Sequence, residues 1–252
     1  MEVVLVHGGG PAINRELRER GIEWTFIGGQ RVTTPEMMSV IEATLAGQVN
    51  GDLLNRFDSD SLPVIGLSGA DHGILLCAPQ SAELGLVGRI LQVNPEWIEK
   101  ALAIGTIPVI APLGGGSGGE RYNINADWAA SHIAAALNAD TLLFLTDQPG
   151  ILDPDGAVIP AADSRSLRDL IDSGTVSGGM LTKVLAVLHA LSHGVREVRI
   201  TDARRTAGTR CLTARIGERR PMPRFESMRF LAGEVALADS SNKRGIELSH
   251  VV

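Results

Sequence analysis

The sequence predicts an α/β fold with a mainly parallel sheet covered on both faces. Three observations carry this expectation. Short apolar runs alternate with segments of helical periodicity along most of the chain, the order that parallel strands and crossover helices produce. Several runs end in junctions rich in Gly, Asp or Asn, such as His7-Gly8-Gly9-Gly10 and Ser68-Gly69-Ala70-Asp71. α/β enzymes gather ligands at such carboxyl ends. Finally, 252 residues with 44% hydrophobic and 21% charged side chains suffice for one large domain or two lobes sharing a sheet.

The elements follow in order. Val3 to Val6 reads as a buried strand ending at the glycine turn, and Pro11 opens a helix to about Arg20. Thr33-Thr34-Pro35-Glu36 starts a second helix, with Met37, Ile41 and Leu45 on one face, running to about Phe57. Leu62 to Leu67 is a strand; Ile74 to Cys77 and Leu84 to Val93 read as an edge hairpin. Asn94-Pro95-Glu96 starts a helix to about Ile104, and Ile107 to Pro112 is a strand entering the run Gly114 to Gly119. Tyr122-Asn123-Ile124-Asn125-Ala126-Asp127 opens an alanine-rich helix, and Thr141 to Thr146 is a strand ending at Asp147. A helix over Ser166 to Asp172 leads to Ser177-Gly178-Gly179. The next helix carries Met180, Val184, Val187, Leu188 and Leu191 at helical spacing until Gly194, and Val198 to Thr201 is a strand. Residues 217–252 are more charged and less periodic, and form a tail of unknown role.

Several function classes are disfavoured. A net charge of −6 argues against nucleic acid as main partner. No apolar run is long enough for a membrane span, and no secretory leader is expected at a start that enters a strand directly. Cys77 and Cys211 lie far apart without CxxC or Cys/His spacing, so a zinc site is not expected and a reduced, cytoplasmic setting fits best.

The candidate chemistry is anion binding. Gly8 to Gly10 and Ser177 to Gly179 each set backbone N–H groups and a helix N-terminus where an anion can sit, although tight turns use glycine too. Neither fits the P-loop or the dinucleotide fingerprint. Lys183, one of three lysines against twenty arginines, is placed in the first turn of its helix. There it opposes the macrodipole unless an anion lies between them. Arg31, between Gly28-Gly29-Gln30 and Val32-Thr33-Thr34, could clamp a carboxylate bidentately or form a surface ion pair. Asn125 or Asp127 could cap its helix or face a ligand. His7-Gly8-Gly9-Gly10 and Gly115-Gly116-Ser117-Gly118-Gly119 also match lipase motifs. A nucleophile elbow, however, turns straight into a helix, whereas Ser117 is followed by Glu120 and Arg121 first, and His189 falls inside a helix.

Eight segments in order carry a family resemblance: LVHGGGP (Leu5 to Pro11), GGQRVTT (Gly28 to Thr34), GLSGAD (Gly66 to Asp71), LGLVG (Leu84 to Gly88), PVIAPLG (Pro108 to Gly114), YNINAD (Tyr122 to Asp127), LLFLTDQPGILD (Leu142 to Asp153) and SGGMLTK (Ser177 to Lys183). Over roughly Glu2 to Ile216 they resemble the N-acetyl-L-glutamate kinases of the amino acid kinase family. The resemblance implies a three-layer αβα sandwich with a mainly parallel central sheet in two lobes. Residues 1–139 would form the acid-binding and dimerisation lobe and residues 140–216 the nucleotide-binding lobe. It implies ATP-dependent phosphorylation of the side-chain carboxylate of N-acetyl-L-glutamate, in arginine biosynthesis, by a cytoplasmic homodimer with no nucleic-acid or membrane partner. Mg²⁺ would be carried mainly by ATP, with no metal ligands from the protein. Gly9 and Gly10 would contact the reacting end of the acid, Arg31 would hold its α-carboxylate, and Asn123 would contact the acetylamino acid. Asp147, Gln148, Pro149, Gly150, Ile151 and Leu152, with Thr175, Val176 and Ser177, would line the ATP pocket. Lys183 would stabilise the transferring phosphoryl group and Asp127 would orient the cations. A kinase for a related acid, such as a carrier-linked aminoadipate, and a catalytically impaired binding or regulatory homologue are the alternatives.

The sequence also departs from the family, whose first strand carries a Lys-x-Gly-Gly motif upstream of HGGG, with a lysine that stabilises the transition state. Here His7 follows Met1 closely and the first lysine is Lys100. That strand belongs in the middle of the sheet, so its loss is expected to expose neighbouring backbone. Losing such a cation costs a few kcal/mol, roughly two orders of magnitude in rate. Either the true start of the gene lies upstream, or the chain is a natural variant that is inactive or poorly active. The helix that builds arginine-inhibited hexamers in some members is missing too, so no such regulation is expected.

Overall fold

The computed structural model describes residues 2–202, 208–212 and 228–233, the last of these as backbone. Strand β1 (Glu2–His7) runs into α1 (Gly10–Glu19), whose first turn holds Pro11, where a missing N–H costs nothing. A small antiparallel hairpin follows, β2 (Phe26–Ile27) and β3 (Gln30–Arg31). Gly28 and Gly29 turn it at φ of 56° and 79°, the left-handed pair such two-residue turns require. Helix α2 (Pro35–Glu42) is capped by the Thr34 hydroxyl, which accepts from the Met37 N–H at 3.2 Å. It passes without a break through a π-helical stretch, Ala43–Val49, into α3 (Asn50–Ser59).

Next come β4 (Val64–Ser68), the antiparallel pair β5 (Leu75–Pro79) and β6 (Gly88–Val93), α4 (Glu96–Ala103) and β7 (Ile107–Ala111). The glycine run that the sequence suggested as a loop instead forms a second hairpin, β8 (Leu113–Gly115) with β9 (Arg121–Asn123). Ser117 sits exposed at its tip, so it is not on a strand–helix elbow. Helix α5 (Ala126–Ala136) leads to β10 (Thr141–Thr146), β11 (Ala161–Asp163), α6 (Ser164–Asp172), α7 (Gly178–Ser192), β12 (Glu197–Asp202), β13 (Thr209–Leu212) and β14 (Met228–Gly233).

Eight strands form the main sheet in the order β11-β13-β12-β10-β14-β1-β7-β4. From β12 to β4 all neighbours are parallel, and β13 and β11 close one edge in the opposite sense. The middle position between β10 and β1, expected to be left open, is filled by β14 from the charged tail. It pairs in parallel on both sides, Val4 against Phe230 and Leu142 against Phe230. Backbone groups of the two neighbours are thereby satisfied. Of the tail, the remaining residues lie outside the described ones.

The pleat sorts side chains to two cores. Val4 and Val6 point to the larger, built with Ile110, Leu142, Phe144 and the apolar faces of α4, α5 and α7. Leu5 and Val109 point to the other face, against Ala12, Val49 and Leu53 of α1 and the α2–α3 helix. The sheet is thus covered on both faces, and the carboxyl ends of β1 and β10, parallel on either side of β14, point the same way.

Helices α5 and α7 pack against each other through a stack of imidazoles. His132 lies 3.9 Å from His189, and His189 lies 4.1 Å from His193, ring centroid to centroid. Burial, with help from neighbouring imidazoles, pushes His132 and His189 down to about 4. In the unfolded chain both titrate near 6.5. Between those values the unfolded chain binds more protons, so stability falls as pH drops through this window. The expected loss is roughly 1–2 kcal/mol per imidazole once partial exposure is discounted. Urea midpoints taken from pH 7.5 to 4.5 should decline, and His132→Phe, which keeps a ring in the stack, should decline less. Identical slopes for the two proteins would contradict this assignment.

Candidate active site

The carboxyl ends of β1 and β10 open on a cavity of about 630 Å³, the size of a small-molecule site. One wall is the turn Gly8 to Gly10. Its middle residue packs closely on the helix beneath: a Cβ on Gly9 would stand 2.5 Å from Leu45 Cδ2, so a larger residue there requires the Leu45 side chain to move. Gly9 caps α1 without a side chain, so the first N–H groups of that helix remain available to an anion in the cavity.

A second wall comes from the β2–β3 hairpin. Arg31 is 7% exposed and lines the cavity. Its guanidinium carbon lies 4.8 Å from the Phe26 ring centre and 5.5 Å from that of Trp24, within cation–π range of both rings. Nη2 donates to Asn14 Oδ1, while Nη1 is buried without a partner. Burial lowers the pKa of Arg31 from its usual value, yet a guanidinium stays charged in proteins. Arg31 is thus not part of a surface ion pair. It is a desolvated cation with one set of N–H donors to spare.

The third group sits at the seam of α5 and α7. Asn125 caps α5, its side chain accepting from the N–H groups of Asp127 (3.0 Å) and Trp128 (3.2 Å). The capping role therefore belongs to Asn125, and the Asp127 carboxylate is free to pair elsewhere. It accepts from Lys183 Nζ at 2.6 Å, with the two side chains only 16% and 12% exposed. Nζ also lies 4.9 Å from the Phe144 ring centre. Lys183 occupies the second turn of α7, not the first as expected; the partner that accounts for a lysine here is Asp127, on another helix. Both side chains line the cavity, as does Asn123, whose amide donates to Thr33 Oγ1 at 3.2 Å.

The remaining candidates lie after β10 and before α7. Asp147, Gln148, Gly150 and Leu152 line the cavity, as do Thr175, Val176 and Ser177. Pro149 and Ile151 do not line it: Pro149 is half-buried, and Ile151 is fully buried in the larger core, its N–H donating to Thr209 Oγ1 at 2.8 Å. Sequence reasoning passed over Trp24, Phe26 and Asn14, which hold Arg31. The signal available was the pair of aromatics two residues apart, in a chain with only three Trp and five Phe, just before an arginine. No group of three or more His, Cys, Asp or Glu side chains converges to hold a metal among the described residues. Nor is any helix there long and apolar enough to cross a membrane.

The chain as a whole is similar to known proteins. The signature of the amino acid kinase family matches residues 1–202. An acetylglutamate kinase of Geobacillus thermodenitrificans (strain NG80-2) is 43% identical over 205 residues, covering 81% of this chain and 79% of that protein. An acetylglutamate kinase of Geobacillus stearothermophilus is 44% identical over 207 residues, covering 82% and 80%. Among solved structures, smu.665 from Streptococcus mutans UA159 superposes with a TM-score of 0.78 at 30% identity, covering 83% of this chain and 85% of that one.

The ion pair makes a prediction that needs no knowledge of the reaction. Asp127→Asn leaves an ammonium buried without its counter-charge, which should cost about 3 kcal/mol in urea unfolding. The double variant Asp127→Asn/Lys183→Met should recover a substantial part of that loss. Strict additivity of the two changes would contradict the coupling.

Proposed function

This chain belongs to the amino acid kinase family, and from that membership we propose that it transfers the γ-phosphoryl group of ATP to the side-chain carboxylate of N-acetyl-L-glutamate. The product is N-acetyl-L-glutamyl 5-phosphate, and the step serves arginine biosynthesis in the cytoplasm. The observation that carries this reading is one cavity with two kinds of anion site. Arg31 offers buried, unpartnered N–H groups to a carboxylate, and Lys183, beside a helix N-terminus, offers a fixed cation to a phosphate.

The chemistry asks little of side-chain acids and bases. The nucleophile is a carboxylate, ionised near neutral pH, so no general base is required. Catalysis then consists of aligning two anions and stabilising the charge that spreads over the equatorial oxygens of the moving phosphoryl group. In this reading Arg31 holds the α-carboxylate and Asn123 the acetylamino group. Gly9 and Gly10 N–H groups meet the reacting end. Lys183 neutralises the phosphoryl oxygens, and Asp127 keeps its ammonium in place. Asp147, Gln148, Gly150, Leu152, Thr175, Val176 and Ser177 flank the nucleotide, and Ile151 anchors that loop in the core. Asp127 and Asp147, the acids that line the cavity among the described residues, form no metal cage of their own, so a Mg²⁺ would arrive with ATP and would supply further charge neutralisation.

Residues 1–139 form the acid-binding and dimerisation lobe in this proposal, residues 140–216 the nucleotide lobe, and the working unit is a homodimer. A second reading, a binding homologue of low activity, is favoured by one observation: among the described residues Lys183 is the only lysine lining the cavity. Formation of ADP that depends on N-acetyl-L-glutamate supports the kinase. Thermal stabilisation by acetylglutamate and MgATP without ADP supports the binding homologue.

Two variants separate the roles. Lys183→Ala should lower kcat by about 100-fold or more while changing acetylglutamate affinity little, since it removes a charge felt mainly in the transition state. An unchanged kcat would refute its role. Arg31→Ala should raise KM for acetylglutamate by about 10–100-fold, the worth of a charge-assisted bond, and leave KM for ATP near its original value. A rise in KM for ATP alone would reassign Arg31.

A further inference from the structure

We infer that His7 is a positioning residue: its imidazole, held in one tautomer by Asn50, turns the Gly8–Gly9 peptide so that the Gly9 N–H faces the cavity as a preset donor to the reacting anion. The identity of that anion rests on the function proposed above; the geometry does not.

His7 ends β1 and is fully buried. Its Nδ1 lies 2.8 Å from the Gly8 carbonyl oxygen, and its Nε2 lies 3.1 Å from the side-chain nitrogen of Asn50. That same amide nitrogen donates to the Val109 carbonyl at 2.9 Å. The Val109 contact sets the amide's orientation, since a flipped amide would set oxygen against oxygen. An amide nitrogen has two protons and nothing to accept with, so Nε2 must be the acceptor. The imidazole proton is therefore on Nδ1 and is donated to Gly8. Burial lowers the pKa of His7 and keeps it neutral. A second proton would also set an N–H against the Asn50 amide.

The consequence follows from peptide geometry. In a trans peptide the C=O and N–H of one unit point in opposite directions, and no cis bond occurs among the described residues. The Gly8 carbonyl is drawn to a ring in the core, so the Gly9 N–H of the same unit points away from it, toward the cavity that Gly8, Gly9 and Gly10 line. No protein acceptor meets that N–H among the described residues. Two further features serve this arrangement. The π-helical stretch Ala43–Val49 puts Leu45 beneath Gly9 and leads directly into Asn50. Gly66 on β4 leaves room for the Asn50 amide, because a Cβ there would stand 2.3 Å from Oδ1.

The test compares two amide replacements. Asparagine places its NH₂ where Nδ1 was and can still donate to Gly8; glutamine places its amide near Nε2 and can reach Asn50 only. His7→Gln should lower kcat by about 10–100-fold, less than outright loss of an oxyanion donor, with KM for acetylglutamate within about threefold. His7→Asn should restore kcat to within about fivefold of the unsubstituted chain. Equal kcat in the two variants, whether unchanged or equally reduced, would overturn the inference and leave only a packing role. A second measurement works on the unsubstituted chain without turnover. Long-range ¹H–¹⁵N correlation should show His7 protonated on Nδ1 at neutral pH, and protonation on Nε2 would overturn the inference by itself. If no ADP forms with acetylglutamate, the proposed reaction fails while the tautomer measurement still decides this inference.

Discussion

The site depends on one interaction, the ion pair of Lys183 and Asp127 across the seam of α5 and α7. An ammonium removed from water in this way needs a counter-charge beside it. Lys183 has a carboxylate 2.6 Å away and lies over Phe144, which together hold it at a fixed point. Each partner is delivered by a helix packed on the same face of the parallel sheet, so the distance between them is set by how α5 and α7 pack. The histidine stack lies along that same contact. Stability of the seam and position of the cation are therefore one problem.

The other cation is handled differently. Arg31 has no acidic partner in the described structure; two aromatic rings and one amide oxygen hold it instead. That support fixes the guanidinium without neutralising it, which leaves its charge and its Nη1 protons for a ligand. Among the described residues, a cavity whose one lysine is neutralised by a neighbour and whose arginine is not has graded attraction for anions. A carboxylate gains most at Arg31, and a group that develops extra negative charge gains most beside Lys183, where it competes with Asp127 for the ammonium.

Much of the fold was legible because it rests on local pattern. The strand Thr141–Thr146 carries an unbroken apolar run and was read with its observed bounds. The helix beginning at Pro35 was marked by Thr34 and Pro35 themselves. What escaped lacked periodicity. Hairpin β8–β9 is built around the run Gly114 to Gly119, which has no side-chain alternation to read, and β2 and β3 have two residues each. The π-helical stretch shifts the helical phase midway, which a fixed period cannot express. Strand β14 comes from a charged tail, and its place between β1 and β10 is decided by what the rest of the sheet leaves open. In the site, glycine junctions pointed to Arg31 and Lys183 as cations worth noticing. That Asp127 rather than a helix dipole accounts for Lys183 is a contact between residues 56 apart, invisible to local pattern.

The most direct test of this account is a crystal structure of the chain with a non-hydrolysable ATP analogue and N-acetyl-L-glutamate bound together. The account requires Lys183 Nζ within hydrogen-bond reach of the terminal phosphate oxygens, still beside Asp127, and the ligand's α-carboxylate on Arg31 Nη1. A complex with Lys183 turned to bulk solvent, or with the carboxylate bound away from Arg31, would contradict it.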